Sequence, residues 1–134
     1  MNIDLRILYR ILRAIALRLL NLSMPGFIGY AELSRQYYAA NGVWIDPHEG
    51  WDESLAEIDR RCVVLFRDNF RPVLSVLVVH QDGDRRPGPG LWGIRTADGR
   101  EVTPARRSEA AWIGMCNAVY AYNWPAELDE LEQA

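Results

Sequence analysis

Apolar positions are densest in the middle of the chain, where two runs, 62–67 and 73–80, flank the polar connector 68–71. Both runs are rich in β-branched residues, which suit a packed, pleated surface. They predict two paired antiparallel strands. Pro72, with no N–H to donate, fits the first position of the second strand or an edge. A helix is the rival reading. Leu55, Ile58, Cys62, Leu65 and Phe66 also recur at helical spacing, and periodicity alone does not separate short apolar runs.

Residues 3–22 predict a long helix, with Asn2 as its cap and Pro25-Gly26 closing the segment. At 100° per residue, Arg6, Arg10 and Arg13 share one narrow stripe. Leu5, Ile7, Leu8, Ile11, Leu12, Ile15, Leu19 and Leu20 cover most of the remainder. A helix apolar on so wide a face buries more than one side. Three arrangements fit, in this order: a core helix with an arginine ridge in water, a homodimer interface, and a helix lying on a membrane surface.

A second helix is expected from about 29 to 40, ended by Asn41-Gly42. Segment 31–36 has a faint likeness to the first helix of a helix-turn-helix unit. Val43-Trp44-Ile45 then runs into Asp46-Pro47, which favours extended backbone and weakens that reading. Residues 46–51 form a loop. Residues 52–61 predict a third helix, with Leu55 and Ile58 inward and acids at its start, where the helix dipole favours them.

Gly and Pro dominate 81–90, a long loop. Residues 91–96 and 100–103 predict a hairpin around Ala97-Asp98-Gly99, because Asp-Gly is a strong turn signal. Thr103-Pro104 supplies a cap and a first-turn proline for a helix reaching about Tyr122, with Ile113, Cys116 and Tyr120 near one face. A short acidic terminal helix follows Trp124-Pro125. The sum is one α+β domain over 1–134. It has N-terminal helices, a small antiparallel sheet (62–67, 73–80, 91–96, 100–103) and a C-terminal helix packed on it. A mainly helical bundle with one hairpin ranks second.

A chain of 134 residues fits one core. Its net charge of −3 gives no global reason to bind nucleic acid. All 15 basic residues are arginine, so every cation is a planar fork suited to carboxylates and aromatic faces. The charge lies in blocks: four Arg in 1–22, six acids and no Arg in 46–59, six Arg in 85–107, and four acids in the last twelve residues. Such blocks mark solvated faces or complementary docking surfaces. Cys62 and Cys116 sit in apolar surroundings, which predicts free buried thiols and a cytoplasmic location. Arg6, Arg10, Arg13 and Arg18 interrupt the one stretch long enough to span a bilayer, so no transmembrane segment is expected.

Gly88-Pro89-Gly90-Leu91-Trp92-Gly93 matches the glycine spacing of a dinucleotide-binding turn. That motif needs a strand before it and a helix after it, and here a hairpin strand is expected to follow. Asp46, His48, Glu49, Asp52 and Glu53 are the densest set of acid/base groups, but they lack the spacing of a zinc site. His80, Asp82 and Asp84 lack the spacing of a calcium loop. Cys62 would need a base beside it to act as a nucleophile. No cofactor or metal is expected. Trp44 and Trp51 bracket the acidic loop, and Trp92 follows the Gly/Pro loop. Tryptophan is enriched in binding hot spots, and equally often it closes the end of a core.

Three functions follow. The first is a small cytoplasmic binding protein that occupies another macromolecule's surface, with another protein as the expected partner, by class-level analogy with inhibitors, immunity proteins and phage accessory proteins. Its contacts are Asp46, Glu49, Asp52 and Glu53 with Trp51 as anchor, and then Arg85, Arg86 and Trp92. The second is an enzyme with a carboxylate/His site around 46–53. The third is a nucleic-acid binder using the Arg-rich 85–107 region, opposed by the acidic remainder.

Overall fold

The computed structural model describes residues 3–22, 24–63, 73–80 and 86–132. Helix α1, Leu5–Ala16, is capped by Asp4, whose carboxylate accepts the Arg6 N–H. Leu8, Tyr9, Ile11, Leu12, Ile15 and Ala16 are buried along it. The helix is shorter than the predicted 3–22. Leu19 N–H donates back to the Ala14 carbonyl and Arg18 N–H to that of Ile15, closing the end with paired reverse bonds. Arg18 takes φ 57°, where glycine is usual and an L side chain costs about 1–2 kcal/mol. Its guanidinium stands 4.9 Å from the Tyr120 ring centroid, an attraction of about 0.5–1 kcal/mol that offsets part of this.

The arginine ridge of α1 is largely solvent-exposed, and its guanidinium groups reach the C-terminal segment. Arg6 Nε reaches Asp129 at 3.2 Å, Arg10 Nε reaches Glu127 at 2.8 Å, and Arg13 Nε donates to the Trp124 carbonyl at 3.1 Å. These partners lie on or before α5, Leu128–Glu132. Beneath them the Tyr9 hydroxyl donates to the Pro125 carbonyl at 2.7 Å, and Trp124 packs edge-on to Tyr9. Two arginines of the first basic block thus pair with two acids of the last acidic block.

Strand β1, Ile28–Gly29, leads directly into α2, Tyr30–Asn41. It pairs in parallel with β2, Val78–Val79, with Ile28 opposite Val78 and Gly29 opposite Val79. This two-stranded pair is the whole sheet among the described residues. It replaces the predicted antiparallel sheet. Helix α3, Asp52–Val63, carries Cys62, so the helical spacing of Leu55, Ile58 and Cys62 prevails there over β-branched composition. The remainder of the first predicted strand and its connector lie outside the described residues. Residues 74–77 form a 3₁₀ turn, Leu74–Leu77, all buried. A run buried on every side has no alternating pattern to distinguish strand from turn.

The second predicted hairpin shrinks to a single antiparallel bridge, Arg95 with Glu101. A 3₁₀ turn, Pro89–Leu91, occupies its expected start, and Gly93, at φ 77°, turns the chain so that its N–H meets the Pro104 carbonyl at 2.9 Å. Thr103 is a buried clamp, not a helix cap. Its Oγ1 donates to the Leu91 carbonyl at 2.6 Å and accepts the Ile94 N–H at 2.9 Å. Helix α4 therefore begins later, Glu109–Ala121, capped by Ser108. It buries Trp112, Cys116 and Val119, while Ile113, expected inward, is 48% exposed. The architecture is helix-rich with a very small parallel sheet. One apolar cluster runs from Leu8 to Leu128. No helix among the described residues is long and apolar enough to cross a membrane.

Candidate functional site

The turn between α2 and α3 is built on buried polar bonds. Ser34 Oγ donates to the Ile45 carbonyl at 2.7 Å and accepts the Trp51 indole N–H at 2.9 Å. Asp46 closes the turn on itself, accepting the His48 N–H at 2.8 Å through its side chain and the Gly50 N–H at 2.9 Å through its carbonyl. A Cβ at Gly50 would lie 2.5 Å from the Ile45 side chain, so only glycine lets the turn pack this closely. The result is a fixed wall that ends in His48 and Asp52.

The opposite wall comes from β2 and the Gly/Pro loop. His80 follows β2, donates its N–H to the Arg86 carbonyl at 2.9 Å, and sets its ring 5.3 Å from that of Tyr30. Gly88 N–H donates to the Tyr30 hydroxyl at 3.2 Å. A Cβ at Gly88 would stand 2.8 Å from that hydroxyl, and one at Gly90 would stand 3.2 Å from the Asp52 carboxyl carbon. Between the walls lies an open cleft of about 480 Å³, lined by Tyr30, Pro47, His48, Asp52, His80 and the loop at 88–89. Burial raises the Tyr30 pKa above the ordinary phenol value. The Gly88 N–H works against this and the charge of Asp52 works with it. Tyr30 thus keeps its proton, and that O–H is a donor beside the Asp52 acceptor. Both histidines of the chain, treated as separate groups in the sequence, meet here.

The acids of 46–59 divide into three fates. Glu53 and Glu57 pair with Arg60, at 3.0 and 3.5 Å, and Glu57 also with Arg61 at 3.4 Å. Asp59 is fully buried, accepting both the Ser75 hydroxyl and, at 3.2 Å, the Ser75 N–H. Burial pushes its carboxyl up to about 7, against the lowering effect of the Ser75 bonds and Arg60. Asp46, Glu49 and Asp52 form no ion pair among the described residues. Nothing in the sequence marked Asp59 as buried except its place three residues before Cys62 on the α3 face.

Trp51 is 1% exposed and packs edge-on to Tyr37, so it is a core residue and not the surface anchor expected of it. Trp44 holds the exposed position instead, at 50%, set against Tyr38 at 53% with ring centroids 6.4 Å apart. Of the second group of predicted contacts, Arg85 lies outside the described residues. Arg86 and half-buried Trp92 line a smaller cleft of about 210 Å³ with Arg107, Ser108 and Trp112. Arg86 is already engaged there, paired with Glu109 and 5.0 Å from the Trp112 centroid.

The glycine series 88–93 is a loop around a 3₁₀ turn with no helix after it, so it builds no phosphate cradle. No group of three or more His, Cys, Asp or Glu among the described residues is arranged to hold a metal ion. Cys62 and Cys116 are buried and form no disulfide, and burial pushes the Cys116 thiol up to about 12. No protein-family model, curated protein or solved structure matches the chain.

Proposed function

We propose that the chain is a binding protein that occupies the surface of a basic protein partner through the α2–α3 turn. The observation that carries this reading is Trp44, half-exposed and held by Tyr38, on the segment that also bears the unpaired acids Asp46, Glu49 and Asp52. Tryptophan is enriched among the residues that carry binding energy at interfaces, where a partner desolvates it. Acids without internal partners steer a basic surface into register. Trp44 therefore takes the anchoring role first assigned to Trp51. Two buried cysteines without a disulfide fit a reducing compartment such as the cytoplasm.

A photoreactive aromatic residue at position 44 should capture a basic protein from native extract, whereas one at position 113, equally exposed on α4, should not. With that partner, Trp44→Ala should raise dissociation by about 2 kcal/mol, and Asp46→Arg with Glu49→Arg should slow association and flatten its salt dependence. Unchanged kinetics in both variants would sink the reading.

An enzyme is the second reading, favoured by the meeting of His48, His80, Asp52 and Tyr30 in one cleft. A small molecule retained in native mass spectra and lost with His80→Ala would favour it. The nucleic-acid reading is weaker, because Arg86 is neutralised by Glu109.

A further inference from the structure

We infer that the cleft between the α2–α3 turn and the Gly/Pro loop receives an arginine side chain of the basic partner, an assignment that rests on the binding reading above. Asp52 is the one carboxylate lining it among the described residues. No arginine lines it there, so a phosphate or carboxylate would meet a carboxylate and no counter-charge. A cation meets the reverse: a carboxylate with no ion pair among the described residues, and the rings of Tyr30 and His80, whose centroids are 5.3 Å apart.

Among cations, guanidinium suits these groups best. It is planar, stacks on aromatic faces, and offers five N–H donors in a fork that matches a carboxylate. The rings of His48 and His80 line the same cleft and add further flat surface for it. An ammonium is compact and strongly hydrated, and it gains less from a flat ring. The cleft is also within the usual size range of ligand pockets, roughly 300–1,000 Å³. Pro47 and His48 line it, while Asp46 and Glu49 on the same turn are exposed. A partner chain lying across the turn can thus insert one side chain while its backbone stays outside.

The test uses the full chain at pH 8 and a capped arginine, N-acetyl-arginine-N-methylamide, as the probe. The ring signals of His48, His80 and Tyr30 are followed by NMR. Saturable shifts at all three are expected, at least tenfold weaker with the capped citrulline and severalfold weaker with the capped lysine. Asp52→Asn should weaken the arginine probe at least fivefold while the melting temperature stays near the parent's.

Absence of saturable shifts would overturn the assignment. So would equal binding of citrulline or lysine, or an Asp52→Asn protein that binds like the parent. Trp44→Ala should lose the partner and keep the probe. If the partner is captured but the probe does not bind, the arginine assignment falls and the binding reading stands. If the probe binds but no partner is captured, the commitment to a protein source is overturned.

Discussion

Two clefts lie on either side of the loop that carries Gly88 and Gly90, and they treat charge in opposite ways. On one side Asp52 stands without an ion-pair partner among the described residues, beside Tyr30 and two histidines. On the other, Arg86 is closed down by Glu109 and stacked on Trp112. Both began as charge blocks in the sequence. A block that folds onto its complement contributes to the surface of the protein itself, as the α1 ridge does with Asp129 and Glu127. A block with no complement keeps its field for an encounter.

The contrast can be broken most forcefully from below. Trp51 fills the floor under the Asp52 turn, so Trp51→Ala should destabilise the protein by about 3–5 kcal/mol in chemical denaturation. If that variant unfolds at the parent's denaturant concentration, the turn is not held from the core and its open cleft is not a fixed shape.

Asp59 gives the next largest effect, because it shares α3 with Asp52 in the contrary environment. Its folded-state pKa, raised to about 7, exceeds the ordinary unfolded value, so the native state binds the proton more tightly. Stability is then greatest below about pH 4 as far as this group is concerned. It falls as pH rises toward about 7 and levels off above, by on the order of a few kcal/mol at most. Asp59→Asn keeps an acceptor for Ser75 and cannot titrate. The difference in melting temperature between variant and parent should grow in the variant's favour from pH 5 to pH 8. A constant difference would show that the carboxyl titrates normally.

Smaller effects separate the two clefts directly. Arg86→Ala removes an exposed ion pair and a cation–π contact and should cost about 1 kcal/mol. Asp52→Asn should change stability by less than about 0.5 kcal/mol. Thermal melts of the two variants at low and high salt check this. Equal losses in both would erase the distinction between an engaged charge and an available one.

The helices were legible where a one-sided apolar pattern coincided with a stop signal. Asn41-Gly42 marked the end of α2, and Leu55 and Ile58 marked the inward face of α3, whereas Cys62, expected in a strand, belongs to that helix. The sheet was not legible. Val73, Leu74, Val76, Leu77, Val78 and Val79 are all buried, so no polar face marked where a 3₁₀ turn gives way to two residues of strand. Its partner, Ile28–Gly29, is too short to carry a pattern. Thr103 misled because a threonine before proline looks like a cap whether or not its hydroxyl is already used, here by Leu91. The acidic turn was visible as a site, but which tryptophan faced water depended on Ser34, seventeen positions away, accepting the Trp51 indole proton.

The docking of α1 against residues 124–129 also sets the order in which the protein can be assembled. Tyr9 waits for the Pro125 carbonyl and Arg6 for Asp129, contacts separated by 116 and 123 positions. During synthesis at about 5–20 residues per second, the amphipathic first helix is made several seconds before its cover exists. Contacts of such long range also slow the search for the native state. Through that interval α1 can pack on α2 and on Leu74–Leu77, but the side that carries Tyr9 stays uncovered. Chaperone dependence and aggregation of nascent chains should therefore concentrate on that side of α1.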